Sequence, residues 1–124
     1  MAAVTITSFG YLHAEPPSAH LVLDLRHHFR DPHVDPALRQ QTAADRAVRD
    51  AVMHTPGVLE LTEATAAAVR AYQAGPTAGP VTVAVGCAGG RHRAPTVALA
   101  LAELLHGQDV AVHHRDLSRP VVNR

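Results

Sequence analysis

The chain has 124 residues, 47% of them hydrophobic, and eleven basic residues balance eleven acidic ones to a formal net charge of zero. This length supports one domain with a real core, and the zero charge lacks the basic field of a dedicated nucleic-acid binder. The single cysteine excludes an internal disulfide. With no signal peptide and no long apolar run, we expect a cytoplasmic protein without a membrane span.

The first half of the chain predicts two strands, a loop and a helix. Residues 4–9 alternate apolar and hydroxyl side chains, and residues 20–26 form a second largely apolar stretch, so both are expected to be β-strands. Residues 27–38 hold two prolines, three histidines and several charges, which favours an ordered loop. Thr42, with an aspartate three residues later, resembles a capping box and predicts a helix over 42–53.

The second half alternates helices with strands. Residues 54–57 contain Pro and Gly and should end the first helix, and residues 60–73 are alanine-rich and predict a second helix that stops at Gly75. After a short linker, the β-branched run from Val81 to Cys87 predicts a buried strand. Two further elements follow, a helix over 94–106 and a strand over 109–114.

This alternation predicts an α/β fold with a small mixed, partly parallel sheet flanked by helices. In such sheets, ligands bind beyond the carboxyl ends of the strands. Three predicted strand ends carry polar side chains, at residues 24–26, 86–87 and 114–115. If these strands are parallel and adjacent, the three groups converge on one cleft.

The most informative segment joins the strand at Val81 to the helix after it and has the sequence Gly-Cys-Ala-Gly-Gly-Arg-His-Arg over 86–93. A glycine-rich loop before a helix presents backbone N–H groups that have no partner within the helix, and the helix dipole favours negative charge there. Arginines in the loop add donors suited to phosphate or carboxylate. The segment therefore predicts binding of a small anion, in particular a phosphorylated metabolite.

Five motifs in collinear order resemble the C-terminal domain of the RNase adapter protein RapZ. They are Ser8–His13, Asp24–Arg26, Pro32–His33 with Asp35–Arg39, Gly86–Arg93 and His114–Arg115. The resemblance implies binding of glucosamine-6-phosphate and, in some bacteria, of small regulatory RNAs. It also implies a homodimer, a fold similar to a sub-domain of phosphofructokinase, and a place behind a P-loop nucleotide-binding domain.

The resemblance also implies a set of ligand-binding residues and no catalytic residue. In that interpretation His33, His92 and Arg93 face the phosphate, and Asp24 accepts hydrogen bonds from hydroxyl or ammonium groups. The full expected set is Asp24, Arg26, His33, Cys87, Ala88, Gly89, Gly90, His92 and Arg93. Ala88 stands where the family often has a hydroxyl residue.

The chain contains no Gly-x₄-Gly-Lys-[Ser/Thr] motif, so we expect a standalone domain, residues 1–124, without the family's ATP site. It would act as a non-enzymatic sensor or adapter without a cofactor. Its partner would be a regulatory RNA, another protein or a separately encoded ATPase subunit.

Three alternatives remain open at this stage. Cys87 and Arg93 satisfy the Cys-x₅-Arg pattern of cysteine phosphatases, in which a thiolate attacks phosphorus, although Ala94 stands where those enzymes usually have Ser or Thr. An RNA-binding regulatory module is the second. The third is a metal site, because the chain has ten histidines, but their spacing does not match common zinc sites, so no metal is expected.

Overall fold

The computed structural model describes residues 2–123, which form four β-strands, three α-helices and one short 3-10 turn. In chain order these are β1 (Val4–Gly10), β2 (Leu21–Asp24), the 3-10 turn (Pro32–Val34), α1 (Arg46–Met53), α2 (Val58–Ala74), β3 (Val81–Cys87), α3 (Arg93–Leu104) and β4 (Val110–His114). Each strand and helix expected from the sequence is present.

The four strands form one sheet in the order β2-β3-β1-β4. The three pairings among the described strands are all parallel, so the predicted α/β class is confirmed and the sheet is parallel throughout rather than partly parallel. Parallel neighbours need crossover connections, usually helical. The helices α1 and α2 connect β2 to β3, α3 connects β3 to β4, and residues 11–20 connect β1 to β2 without a helix.

The core lies between one face of the sheet and the helices. Alternate residues of the two central strands point into it, and Ile6, Val83 and Val85 are each at most 1% exposed. The helix α3 packs against β1, β3 and β4 and buries Leu101 completely. Each such side chain contributes about 1.5–3 kcal/mol by leaving water. This packing fixes the position of the α3 N-terminus above the carboxyl edge of the sheet.

The first helix begins later than predicted. The Asp45 carboxylate accepts from Thr42 N–H, as in a capping box, but the Thr42 hydroxyl accepts from Ala44 N–H, and the Asp45 N–H bonds to the Thr42 carbonyl instead. These bonds close a turn instead of opening the helix, and Asp45 occupies the N-cap position of α1 in an extended conformation. The expected start at Thr42 was therefore wrong by a few residues.

The predicted end of β2 was also wrong, whereas the predicted stop of α2 at Gly75 is confirmed. The second strand ends at Asp24 rather than at residue 26, because the Asp24 carboxylate accepts the Arg26 backbone N–H and turns the chain away from the sheet. Gly75 does end α2, but at φ −64° and ψ 158° it is extended and not left-handed. Positive φ occurs instead at Gly57, directly before α2, and at Gly107, after α3.

Candidate functional site

The carboxyl ends of the strands lie along one edge of the sheet. Asp24 pairs in register with Gly86, Gly10 with Cys87, and Ser8 with His114. The predicted strand ends therefore share an edge, with β2 directly beside β3. The strand β1 lies between β3 and β4, so the end of β4, with Arg115, is not adjacent to the end of β3 and its glycine loop.

The loop over 88–92 is held by the end of β1. Tyr11 N–H donates to the Cys87 carbonyl at 2.9 Å, and Leu12 N–H donates to the Ala88 carbonyl at 3.1 Å. Gly90 has φ +76°, and a Cβ there would lie 2.7 Å from the Gly10 nitrogen, so only glycine fits. A Cβ at Gly89 would meet nothing within 4 Å, so the loop is open on that side.

Cys87 is buried beneath this loop and is only 2% exposed. Its sulfur accepts from the backbone N–H groups of Gly90 at 3.3 Å and Ala94 at 3.4 Å, which joins the loop to the first turn of α3. A phosphatase nucleophile has to touch the phosphorus that it attacks. The burial of the sulfur weighs against the phosphatase hypothesis.

The N-terminus of α3 is only partly capped, by the bond from Ala94 N–H to the Cys87 sulfur. His92 occupies the N-cap position but makes no capping hydrogen bond, and Pro95 lies in the first turn, where its missing N–H costs little. Of the first four amides, Ala94 N–H is bonded to the Cys87 sulfur and Thr96 N–H to the His92 carbonyl, which leaves the Arg93 N–H. The helix dipole places partial positive charge at this end. The end of α3 beside the glycine loop is thus suited to a negatively charged group.

Arg93 lies in the first turn of α3, is 3% exposed and faces inward. Its guanidinium forms an ion pair with Asp31 at 3.1 Å. It also donates to the carbonyls of Leu25 at 2.8 Å, Phe29 at 3.1 Å and Arg26 at 3.2 Å. In this conformation Arg93, which the sequence predicted to bind phosphate, binds the segment that follows β2 instead.

His92 is also engaged with the protein. Its Nε2 donates to the Gln41 carbonyl at 2.8 Å, because a carbonyl can only accept. Burial lowers the pKa of His92 below its usual value, although the hydrogen bond to Gln41 opposes that change. The ring is therefore neutral at pH 7 and fixes the 38–43 segment against the loop, where Ala43 N–H also donates to the Arg91 carbonyl.

Asp24 and Arg26 form the exposed polar group at this edge. Their side chains make a two-pronged ion pair, with distances of 2.7 Å and 2.9 Å, and the Arg26 guanidinium stacks 3.6 Å above the Tyr11 ring. The hydrogen bond from Arg26 is the main reason why the pKa of Asp24 falls to about 2. Both groups are thus charged at neutral pH and remain accessible to solvent.

His33 is placed in the 3-10 turn and is half-buried. Its backbone N–H donates to the Asp31 carboxylate, and its carbonyl accepts from Arg39 Nε at 2.8 Å. The turn thus depends on Asp31, the residue that also pairs with Arg93. The structure connects His33 to the candidate site through the backbone of this segment.

The sequence interpretation did not single out Asp31 or Asp116. Asp116 is fully buried, and its carboxylate accepts from Gly10 N–H at 2.8 Å and from the side chains of Arg115 and Arg119. These bonds anchor the chain after β4 against the turn that supports Gly90. For Asp31, the available signal was an aspartate directly before a proline, which is typical of a capped turn; Asp116 had no comparable signal.

Two buried donor groups of the first turn of α3 lack a hydrogen-bond partner within residues 2–123. They are the Arg93 Nε–H and the Thr96 hydroxyl. Buried polar groups are normally satisfied, by protein or by bound molecules, so such exceptions often mark a place for a ligand or water. Across residues 2–123 as a whole, no group of three His, Cys, Asp or Glu side chains is placed to hold a metal ion.

Comparison with known proteins identifies the family. Residues 2–118 match the family described as the RapZ C-terminal domain. The chain belongs to this family. The match covers all four strands and all three helices described above, including the glycine loop and the segment anchored by Asp116.

Similar curated proteins carry this domain as part of a longer chain. A nucleotide-binding protein of Moorella thermoacetica is 42% identical over 123 residues, which is 94% of this chain and 40% of that protein. Nucleotide-binding proteins of Thermobifida fusca and Clavibacter michiganensis are 41% and 38% identical. The chain spans about two fifths of the length of these relatives. Within residues 2–123, no helix is long and apolar enough to cross a membrane.

Proposed function

We propose that this RapZ C-terminal domain binds a small phosphorylated metabolite of the amino-sugar phosphate type at the 88–93 loop. The single observation that carries the proposal is the glycine loop, open at Gly89, that leads into the N-terminus of α3. Such a terminus attracts phosphate through its dipole and through the backbone N–H of Arg93, which is the one amide of the first four left without a partner among the described residues. The family resemblance supplies glucosamine-6-phosphate as the ligand to test first.

In this proposal the phosphate lies against the backbone of Ala88, Gly89 and Gly90. Cys87 supports them from below, since its sulfur binds the loop to α3 at two N–H groups. The absence of a side chain at Gly89 lets a ligand oxygen approach the backbone closely. The Arg93 Nε–H also has no partner among the described residues, but it is buried, so a ligand at the loop would reach it only after a movement of this side chain.

The sugar would lie toward the end of β2. Asp24 is ionised and accepts hydrogen bonds, so it suits an ammonium or hydroxyl group, and Arg26 beside it suits a phosphate or ring oxygen. His33, His92 and Arg93 act mainly by holding the segments around the pocket. The bonds of Arg93 to the 25–31 segment support this role, because that segment carries Arg26.

We further propose that ligand binding is passed on to a partner, which makes the domain a sensor or adapter. The relatives extend well beyond the region that matches this chain, so in them the domain is joined to further protein. For this chain the partner would be a regulatory RNA, a second protein or a second copy in a homodimer. The exposed Arg26 at the edge of the site is the group whose contacts a bound ligand would change first.

Calorimetric titration of the chain with glucosamine-6-phosphate, inorganic phosphate and glucosamine tests the proposal. We expect saturable binding of the sugar phosphate that is tighter than that of either fragment. The decisive variant is Gly89→Ala, because the added methyl projects into open space and costs the fold nothing. It should leave thermal stability unchanged and lower affinity at least about tenfold by blocking the approach of the ligand.

A matched pair of arginine variants locates the sugar. Arg26→Gln should weaken binding, whereas Arg70→Gln should not, because Arg70 bonds to the Leu104 carbonyl at the opposite end of α3. Binding that is indifferent to Gly89→Ala would place the ligand elsewhere and overturn the proposed site. Absence of binding by the sugar phosphate would overturn the proposed ligand.

A further inference from the structure

A cavity of about 330 Å³ lies between the 30–38 segment and the C-terminal end of α1. It shares no lining residue with the 88–93 loop. Its apolar wall consists of Pro32, Leu38, Ala51 and Pro56. Small-molecule sites in proteins are concave, largely apolar and begin at about this volume, with a few polar groups that orient the ligand.

Three charged or titratable side chains line the same cavity. The guanidinium of Arg30 is exposed and makes no hydrogen bond or ion pair among the contacts of residues 2–123. The Asp35 carboxylate is partly used, since it accepts from Ala37 N–H at 2.9 Å within its own turn. His54 donates its Nδ1–H to the Asp50 carbonyl at 2.7 Å, which leaves Nε2 available.

We infer that this cavity is a second ligand site, which takes a small organic anion with an apolar body. The uncommitted positive charge at Arg30 provides a partner for a carboxylate, and a guanidinium suits that group in two-pronged geometry. The apolar wall provides the surface that a ring or short chain would cover. A sugar phosphate is polar on all sides and does not match that wall, so this site differs in ligand class from the one at α3.

The inference is independent of the proposed function, because it rests on a separate set of residues. The carboxylate belongs at the Arg30 end of the cavity, and the ring against Ala51 of α1. Because the cavity volume is at the low end of ligand sites, the body should be no larger than a single ring with a short arm. Phenylacetate has this form and serves as the probe.

The test is an amide NMR titration of the full chain with phenylacetate, 2-phenylethanol and acetate. We expect saturable shifts for phenylacetate confined to the 30–38 segment and the end of α1. The alcohol, which keeps the ring, and acetate, which keeps the charge, should each bind at least about tenfold more weakly. Equal shifts from acetate, or phenylacetate shifts centred on the 88–93 loop, would overturn the inference.

Variants separate the two parts of the site. Arg30→Gln should weaken phenylacetate about tenfold or more, while Arg46→Gln, on the exposed first turn of α1, should leave it unchanged. Ala51→Leu should fill the cavity and abolish binding. If Ala51→Leu retains a cooperative unfolding transition and still binds phenylacetate, the cavity is not the site. Unchanged phenylacetate binding by Arg30→Gln would also exclude the cavity as the site, and this variant alters no buried side chain.

Discussion

Replacing Arg93 with methionine should destabilise the protein far more than a typical arginine substitution. The side chain is 3% exposed, and its guanidinium contacts the Asp31 carboxylate and three backbone carbonyls of the segment after β2. Methionine has a similar length but no donors. The change therefore leaves a carboxylate and several carbonyls without the partner that offsets their burial.

The magnitude follows from the burial of the two partners. Removing one member of a buried ion pair costs about 3–5 kcal/mol. The Asp31 side chain is 19% exposed, so water relieves part of that cost and the lower end applies. We expect a loss of about 3 kcal/mol in the free energy of unfolding, which for a chain of this length lowers Tm by about 10 °C.

Urea unfolding followed by circular dichroism measures the loss, with Arg70→Met as the matched control. Arg70 is exposed and makes a single hydrogen bond to a carbonyl, so its replacement should cost less than about 1 kcal/mol. A double-mutant cycle with Asp31→Asn should show coupling above about 1 kcal/mol. Equal losses in the two methionine variants, or zero coupling, would refute the assignment of Arg93 as the clamp of this segment.

Three further predictions concern the same edge of the sheet. Asp24 should titrate near pH 2 in a carboxyl NMR experiment. The stability that its pair with Arg26 provides is therefore present above pH about 4 and is lost as the pH falls toward 2. The Arg26→Gln variant should return the pKa of Asp24 toward 3.8. Gly90→Ala should cost at least about 2 kcal/mol in urea unfolding because of its positive φ and close backbone contact, whereas Gly89→Ala should cost almost nothing; equal costs would contradict the loop geometry. His92 should titrate below 6.5 in a ring-proton NMR experiment, since burial disfavours its charged form. Because the unfolded chain then binds a proton more readily at His92 than the folded chain does, the free energy of unfolding should fall as the pH drops below 6.5. An unshifted titration of His92 would contradict the burial of its ring.

Much of the fold follows from local sequence patterns. The β-branched run ending at Cys87 identifies β3, the Ala/Leu/Val content after it identifies α3, and the glycine loop between them marks the candidate site. These features depend on the spacing of hydrophobic residues and on the residue types in turns, both of which can be read from neighbouring positions in the sequence. The failures were also local: at Thr42 the capping bonds closed a turn, and at Asp24 the carboxylate accepted the Arg26 N–H and ended β2 two residues early.

The strand order and the use of each charged side chain depended on tertiary structure. Nothing in the local pattern places β1 between β3 and β4, because strand pairing joins segments far apart in the chain. Likewise, the sequence interpretation assigned Arg93 to a bound phosphate. Only the packed chain brings Asp31 and the Leu25 carbonyl to Arg93 and leaves Arg26 at the surface. A long side chain can bind whichever partner burial places within its reach, so its role is decided after the fold is formed.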